Sequence, residues 1–249
     1  MRLIGCIFLA ISAQAQTAKE LRVAAAADLQ PVMPTLAAEY EKATGVKLVV
    51  SYGSSATLAT QILNGAPIDI FFAADASFPQ QIVAAGLAEG KAPTPYANGT
   101  LVLWTRKDSP LQPITLDSLT DKRVTSISIA DPQHAPYGRA AVAALTSMKL
   151  YDSLKPHLVV AENISQAAQF VESGNAQLGL ISLTTASTEH FRQVGMYVVV
   201  PPASYPPLLQ SAVIIANSDR KAAAQDLLKW MLSPALQGQL KNFGLTPVN

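Results

Sequence analysis

Short apolar runs alternate with helix-spaced apolar stripes along most of this chain. Leu21-Arg22-Val23-Ala24-Ala25-Ala26 reads as a buried strand. Leu29, Val32, Met33, Leu36 and Tyr40 then recur at helical spacing until Gly45 stops the pattern. An interior proline deletes a backbone hydrogen bond, so the regular helix is expected to begin near Pro34. Val46 to Ser51 is strand-like, Ala56 to Asn64 helical, Ile68 to Ala73 again a strand, and the next helix closes at Gly86. Further strands are expected at Leu101–Trp104, Ser126–Ala130, His157–Val160, Leu178–Ser182, Tyr197–Val200 and Ala212–Ala216. Helices are expected at Arg139–Met148, Ser165–Glu172, Ala222–Leu232 and Ala235–Phe243. Repeated strand–helix units predict an α/β protein with mostly parallel sheets flanked by helices. The pattern restarts near Asn98 and the chain returns near Leu208, which predicts two lobes: residues 21–97 with 209–249, and residues 98–208.

The N-terminus departs from this alternation. Arg2 precedes an apolar stretch from Leu3 to Ile11, and Ala13-Gln14-Ala15 supplies a small-x-small site. That order predicts a secretory signal peptide over residues 1–15, and the stretch is short for a membrane helix of ~20 residues. Leu3-Ile4-Gly5-Cys6 imitates a lipoprotein processing box but precedes the apolar stretch instead of following it, which argues against lipidation. Cleavage after Ala15 removes Cys6, the only cysteine, as suits an oxidising compartment such as the periplasm.

Composition narrows the function. Lys and Arg total 18 against 17 Asp and Glu, for a net charge of +1, which argues against a nucleic-acid partner. One Cys and three scattered histidines (His134, His157 and His190) offer neither a disulfide framework nor a helical metal-ligand pair.

The candidate chemistry lies in the loops after the strands, where open α/β sheets bind ligands. No charged residue occurs from Ser51 to Ile68. Ser51-Tyr52-Gly53-Ser54-Ser55-Ala56-Thr57 instead offers hydroxyls and amides directly before a helix. The start of a helix is a ready anion site, although Ser54 or Ser55 acting only as a helix cap explains the same residues. Asp131-Pro132-Gln133-His134-Ala135-Pro136-Tyr137-Gly138 and Asn163-Ile164-Ser165 open two further helices. Tyr137 brings a phenol as well as an amide, and Gly138 permits close backbone approach. Asp75 is expected to cap the following helix. Asp69 and Glu162 are expected to be solvated or to stand behind the site, and Trp104 and Trp230 to lie in the core.

Several of these stretches together resemble the periplasmic molybdate-binding proteins of ABC transporters. They are Val23-Ala24-Ala25-Ala26-Ala27-Asp28-Leu29, Gly53-Ser54-Ser55-Ala56-Thr57-Leu58-Ala59, Gln61-Ile62-Leu63-Asn64-Gly65-Ala66-Pro67, Ile70-Phe71-Phe72-Ala73-Ala74-Asp75, and Asp131 to Gly138. The resemblance runs from about Leu21 to the C-terminus. It implies a two-lobed periplasmic-binding-protein fold, with crossing strands between the lobes and the ligand cleft between them. It also implies a fully ionised oxyanion, molybdate and also tungstate, held there by uncharged hydrogen bonds. By position, Ser55 donates hydroxyl and amide, the Ala27–Asp28 junction an amide, and Tyr137 and Ile164 amides from the second lobe. Ser182 stands where some relatives use a tyrosine hydroxyl and others nothing. The implied partner is an ABC permease with its cytoplasmic ATPase, and the carrier itself is expected to be a monomer with no cofactor and no enzymatic activity.

Asp28 breaks the family pattern, since many relatives carry a neutral side chain there. A carboxylate ~4 Å from an anion is repelled by about 4 kcal/mol per unit charge at an effective dielectric of 20. Three readings follow. Asp28 faces away and caps its own turn; it accepts a hydrogen from a protonated oxyanion such as hydrogen phosphate; or it is itself protonated. Two other functions compete. One is a binding protein for phosphate, sulfate or a small organic anion. The other is an exported serine hydrolase using Asp131, His134 and Ser54 or Ser55, although Gly53-Ser54-Ser55-Ala56-Thr57 lacks the last glycine of a nucleophile elbow.

Overall fold

The computed structural model describes residues 20–248; the expected signal peptide at 1–15, with Cys6, lies outside them. Ten strands form two five-stranded sheets. The first holds β1 (Glu20–Ala26), β2 (Lys47–Gly53), β3 (Ile70–Ala73), β4 (Ala88–Gly99) and, from late in the chain, β10 (Leu208–Ile215), in the order β2-β1-β3-β10-β4. The second holds β5 (Leu101–Arg106), β6 (Ile127–Ala130), β7 (Leu158–Ala161), β8 (Leu178–Ser182) and β9 (Gly195–Val199), in the order β7-β6-β8-β5-β9. β1 pairs parallel with β2 and β3, and β6 pairs parallel with β7 and β8. Only β10 and β5 run against their sheets, since both partners of each are antiparallel to it. β4 leads into β5, and β10 returns the chain from the second lobe to the first.

The helices are α1 (Met33–Thr44), α2 (Ser55–Leu63), α3 (Ser77–Ala84), α4 (Pro136–Ser147), α5 (Tyr151–Leu154), α6 (Ile164–Glu172), α7 (Leu183–Ala186), α8 (Glu189–Val194), α9 (Lys221–Met231) and α10 (Pro234–Gln239). α1 starts at Met33 with Pro34 in its first turn, and Gly45 ends it at a φ of 74°, a left-handed conformation that glycine adopts without a steric penalty. α9 and α10 pack with the first lobe, where Leu227, Met231, Leu236 and Leu240 join Leu21, Val23 and Phe72 in one core. Trp104 is fully buried in the second lobe against Phe191, and Trp230 packs edge-on against Tyr40 at 5.3 Å.

The structure departs from the sequence reading in several places. β4 carries no apolar alternation and contains Pro93 and Pro95; it lies at a sheet edge, where a missing backbone donor is tolerated. α4 begins at Pro136, three residues before the expected start, because proline fits a first helical turn and needs no N–H there. Tyr137 and Gly138 therefore belong to the helix and not to a loop. The short α5, α7 and α8 were too brief to show a helical stripe. Asp69 is neither solvated nor part of the cleft. It is fully buried at the start of β3 and accepts from the Arg22 backbone N–H (2.7 Å), from Arg22 Nε and Nη2 (3.1 and 2.7 Å), and from Ser218 Oγ (2.8 Å). Burial alone would raise its pKa, but the Arg22 and Ser218 donors outweigh it and hold the carboxyl below its ordinary value.

Candidate functional site

The carboxyl ends of the parallel strands in both lobes face one small cavity between them. From the first lobe come Ala26, Ala27 and Asp28 after β1, Gly53, Ser54 and Ser55 between β2 and α2, and Ala74 after β3. From the second come Ala135, Pro136 and Tyr137 at the start of α4, and Asn163 and Ile164 at the start of α6. Three helices of eight or more residues thus begin at the cavity wall. The first-turn N–H groups of a helix have no intrahelical acceptor, and the helix dipole places partial positive charge at that end.

Local capping shows which donors are already engaged. Ser54, not Ser55, caps α2: its Oγ accepts from the Thr57 backbone N–H at 3.1 Å. The Ala56 N–H donates across the lobes to the His134 carbonyl at 3.1 Å. Asn163 Oδ1 caps α6 by accepting from Gln166 N–H at 3.0 Å. The Ser55 hydroxyl accepts from the buried Ala74 N–H at 3.1 Å, which leaves its own hydrogen to be donated. Among the described residues, no lysine or arginine lines the cavity. The nearest bridge of opposite charges described at its rim is Asp75 with Arg139, from opposite lobes. Asp75 also accepts from the Ser77 N–H at 3.1 Å, but it stands one residue before the cap position of α3, which Ala76 occupies without a side-chain cap; the expected cap is corrected, and Asp75 instead ties the lobes together.

Ala27, Asp28, Ser55, Tyr137 and Ile164, chosen on resemblance, are all brought to this one cavity. Ser182 is not among its lining residues. It caps α7, accepting from Thr184 Oγ1 at 2.8 Å and from Thr185 N–H at 3.4 Å.

Asp28 does not cap its own turn, and that expectation is corrected. The turn Ala27–Leu29 has Ala26 at its cap position and no side-chain cap. Asp28 sits inside the turn, fully buried, with Oδ2 accepting from Gln210 Nε2 on β10 and the Tyr137 phenol beside it. Its Oδ1 has no hydrogen-bond partner among the described residues. Burial pushes this carboxyl up to about 7, against the weaker opposing pull of Gln210, its own amide and Tyr137. Burial also raises the Tyr137 and Tyr96 phenols well above their ordinary values, so both stay protonated. Sequence reading missed Gln210. The signal was present: Gln210-Ser211 is a polar pair inside an otherwise apolar strand, and both residues are fully buried.

A family model described as bacterial extracellular solute-binding protein matches residues 21–246. The chain is a bacterial extracellular solute-binding protein. This binding protein is 35% identical to the molybdate-binding protein ModA of Azotobacter vinelandii, over 98% of its own length and 96% of that relative's. It is 32% identical to ModA of Rhodobacter capsulatus, over 91% of this chain and 88% of the relative. Its fold superposes on the structure of the Azotobacter vinelandii periplasmic molybdate-binding protein with a TM-score of 0.87 and 33% identity, covering 92% of this chain and all of the other. Family membership makes the binding protein a solute carrier and not an enzyme. His134 bonds to Asp131 at 2.8 Å, while the Ser54 hydroxyl is engaged with Thr57 and that of Ser55 with the Ala74 N–H.

Proposed function

We propose that this binding protein captures molybdate, and also tungstate, and delivers it in the periplasm to an ABC permease with a cytoplasmic ATPase. The observation that carries the reading is one cavity, lined by helix starts from both lobes and, among the described residues, by no lysine or arginine. The similarity to two ModA proteins supports the choice of anion. In this reading Ser55 donates its hydroxyl and amide, the Ala27–Asp28 junction an amide, and Tyr137 and Ile164 amides from the second lobe. All contacts are to the oxygens of the anion, and none to its metal. The lobes comprise residues 21–97 with 209–249 and residues 98–208, and residues 1–15 direct export.

Neutral donors suit a dianion in a closed site. Each hydrogen bond to a charged group contributes about 1.5–3 kcal/mol net. Five to seven of them, offset by dehydration and lobe closure, reach roughly −12 kcal/mol, a nanomolar dissociation constant. With no cation supplying a general attraction, the size of the anion and the directions of its oxygens decide the selection. Closure places donors from both lobes on one ligand, and the closed form is what a transporter recognises.

Isothermal titration calorimetry of the full exported chain with molybdate, tungstate, sulfate and phosphate tests this function. We expect saturable one-to-one binding of the first two and much weaker binding of the others. No saturable heat with molybdate or tungstate at micromolar protein overturns it. Ser55→Ala is expected to weaken molybdate binding by about 1.5–3 kcal/mol in the same titration while the protein stays folded, because Ser54 supplies the cap. Unchanged affinity would assign Ser55 to the Ala74 contact alone.

A further inference from the structure

One polar atom at the cavity wall stands without a partner. Asp28 Oδ1 belongs to a fully buried side chain that lines the cavity and has no hydrogen-bond partner among the described residues. Its sister oxygen is held by Gln210, so the carboxyl is oriented by the strand that joins the lobes. A buried oxygen left without a partner is costly unless something fills the role.

We propose that Asp28 is a binding residue in its neutral acid form: it takes a proton from solvent when the oxyanion enters, and donates that hydrogen from Oδ1 to an oxygen of the ligand. This rests on the oxyanion reading above and adds a proton to it. Capture of a dianion then becomes uptake of one dianion and one proton together. The hydrogen comes from bulk solvent through the open cleft and returns there on release; no covalent bond other than O–H forms or breaks.

The described groups around Asp28 supply no positive charge. The groups that face it are the Gln210 amide from β10, the Tyr137 phenol from α4 and the Tyr96 phenol from β4. Tyr96 donates to the Ala73 carbonyl at 3.3 Å and Tyr137 lies 3.4 Å from Gln210 Nε2, so neither phenol is a source of positive charge. α6 and α7 pack on the Asp28 turn. The ionisable residue of α6 is Glu172, paired with His190 at its far end, and α7 has none. Arg139 on α4 is engaged by Asp75. Among the described residues, no cation is placed to neutralise an ionised Asp28 beside an anion, whereas protonation removes the repulsion and turns an unpartnered acceptor into a donor. Burial already favours the neutral acid. A dianion carries no hydrogen of its own, so the acid must supply it.

The test is calorimetry of molybdate binding at pH 8 in buffers of low and high ionisation enthalpy, such as PIPES-type sulfonates and Tris, on the full exported chain. The slope of observed heat against buffer enthalpy counts protons. The expected result is close to one proton taken up per molybdate, with affinity falling about tenfold per pH unit between pH 8 and 9. Asp28→Asn keeps a donor without a titrating group and is expected to show no proton uptake and an affinity independent of pH. Saturable molybdate binding without proton uptake by the unmodified protein overturns the proposal while leaving the oxyanion function intact. The same uptake in Asp28→Asn also overturns it. Tight phosphate binding without uptake would mean that an ionised Asp28 accepts a hydrogen from the ligand, and would overturn it too. Absence of any molybdate binding removes both readings, and calorimetry separates that outcome from the others.

Discussion

Gly138→Ala is expected to cost about 3 kcal/mol of stability and to weaken oxyanion binding at least tenfold. A Cβ at this position would stand 2.3 Å from the Ala130 carbonyl oxygen and 2.8 Å from the carbonyl carbons of Ala130 and Asp131. These are backbone atoms at the end of β6, in a buried strand, and cannot rotate away as a flexible side chain would. The start of α4 must therefore withdraw from the sheet. That start carries Pro136 and Tyr137, both on the cavity wall, so the Tyr137 amide and the phenol beside Asp28 move with it. Thermal unfolding followed by circular dichroism is expected to shift down by about 6–12 °C, at 2–4 °C per kcal/mol for a chain of this size. A shift within about 2 °C and unchanged affinity would show that α4 does not depend on this close approach.

The second large effect depends on pH. In the ligand-free protein, burial raises the Asp28 carboxyl from 3.8 to about 7. Between these values the folded protein holds a proton that the unfolded chain has released, so stability from this group falls as pH rises and levels off above about pH 7. One pKa unit corresponds to about 1.4 kcal/mol, so the raised carboxyl costs on the order of 4 kcal/mol at pH 8 relative to pH 4. Asp28→Asn removes the titration while keeping the size of the side chain, and the Gln210 amide is free to turn its oxygen toward the new donor. Urea unfolding of the ligand-free pair is expected to show the variant gaining on the wild type by about 3 kcal/mol between pH 5 and pH 7.5. A difference constant with pH would mean that Asp28 ionises as readily in the folded protein as in the unfolded chain.

The parts of this molecule that sequence made legible are those governed by local rules. β1, β3 and β8 are short runs of apolar residues buried on both sides, and β8 was read to the residue. Helix ends at Gly45, Gly65 and Gly86 were readable because each of these glycines adopts a positive φ. β4 was not legible because an edge strand need not alternate and admits proline. At the site, the helix-opening loops at Ser55, Tyr137 and Ile164 were found from sequence, and the fold brings them together. The environment of Asp28 was not, because it is made by Gln210, 182 positions away, and by Tyr137 across the cleft. The Asp75–Arg139 bridge was missed for the same reason: its partners are 64 positions apart and come from opposite lobes. Nearest-neighbour chemistry predicted a cap at Asp28, and tertiary burial overrode it.

The central claim is that uncharged dipoles, and no basic side chain, compensate the charge of the bound anion. The crystal structure of the molybdate complex, with molybdenum located by its anomalous scattering, tests it most directly. The anion is expected in the cavity between α2, α4 and α6, with its oxygens within hydrogen-bond distance of Ser55, the Ala27–Asp28 junction, Tyr137 and Ile164. A lysine or arginine nitrogen bonded to the anion, or the metal found at another place in the fold, would contradict it.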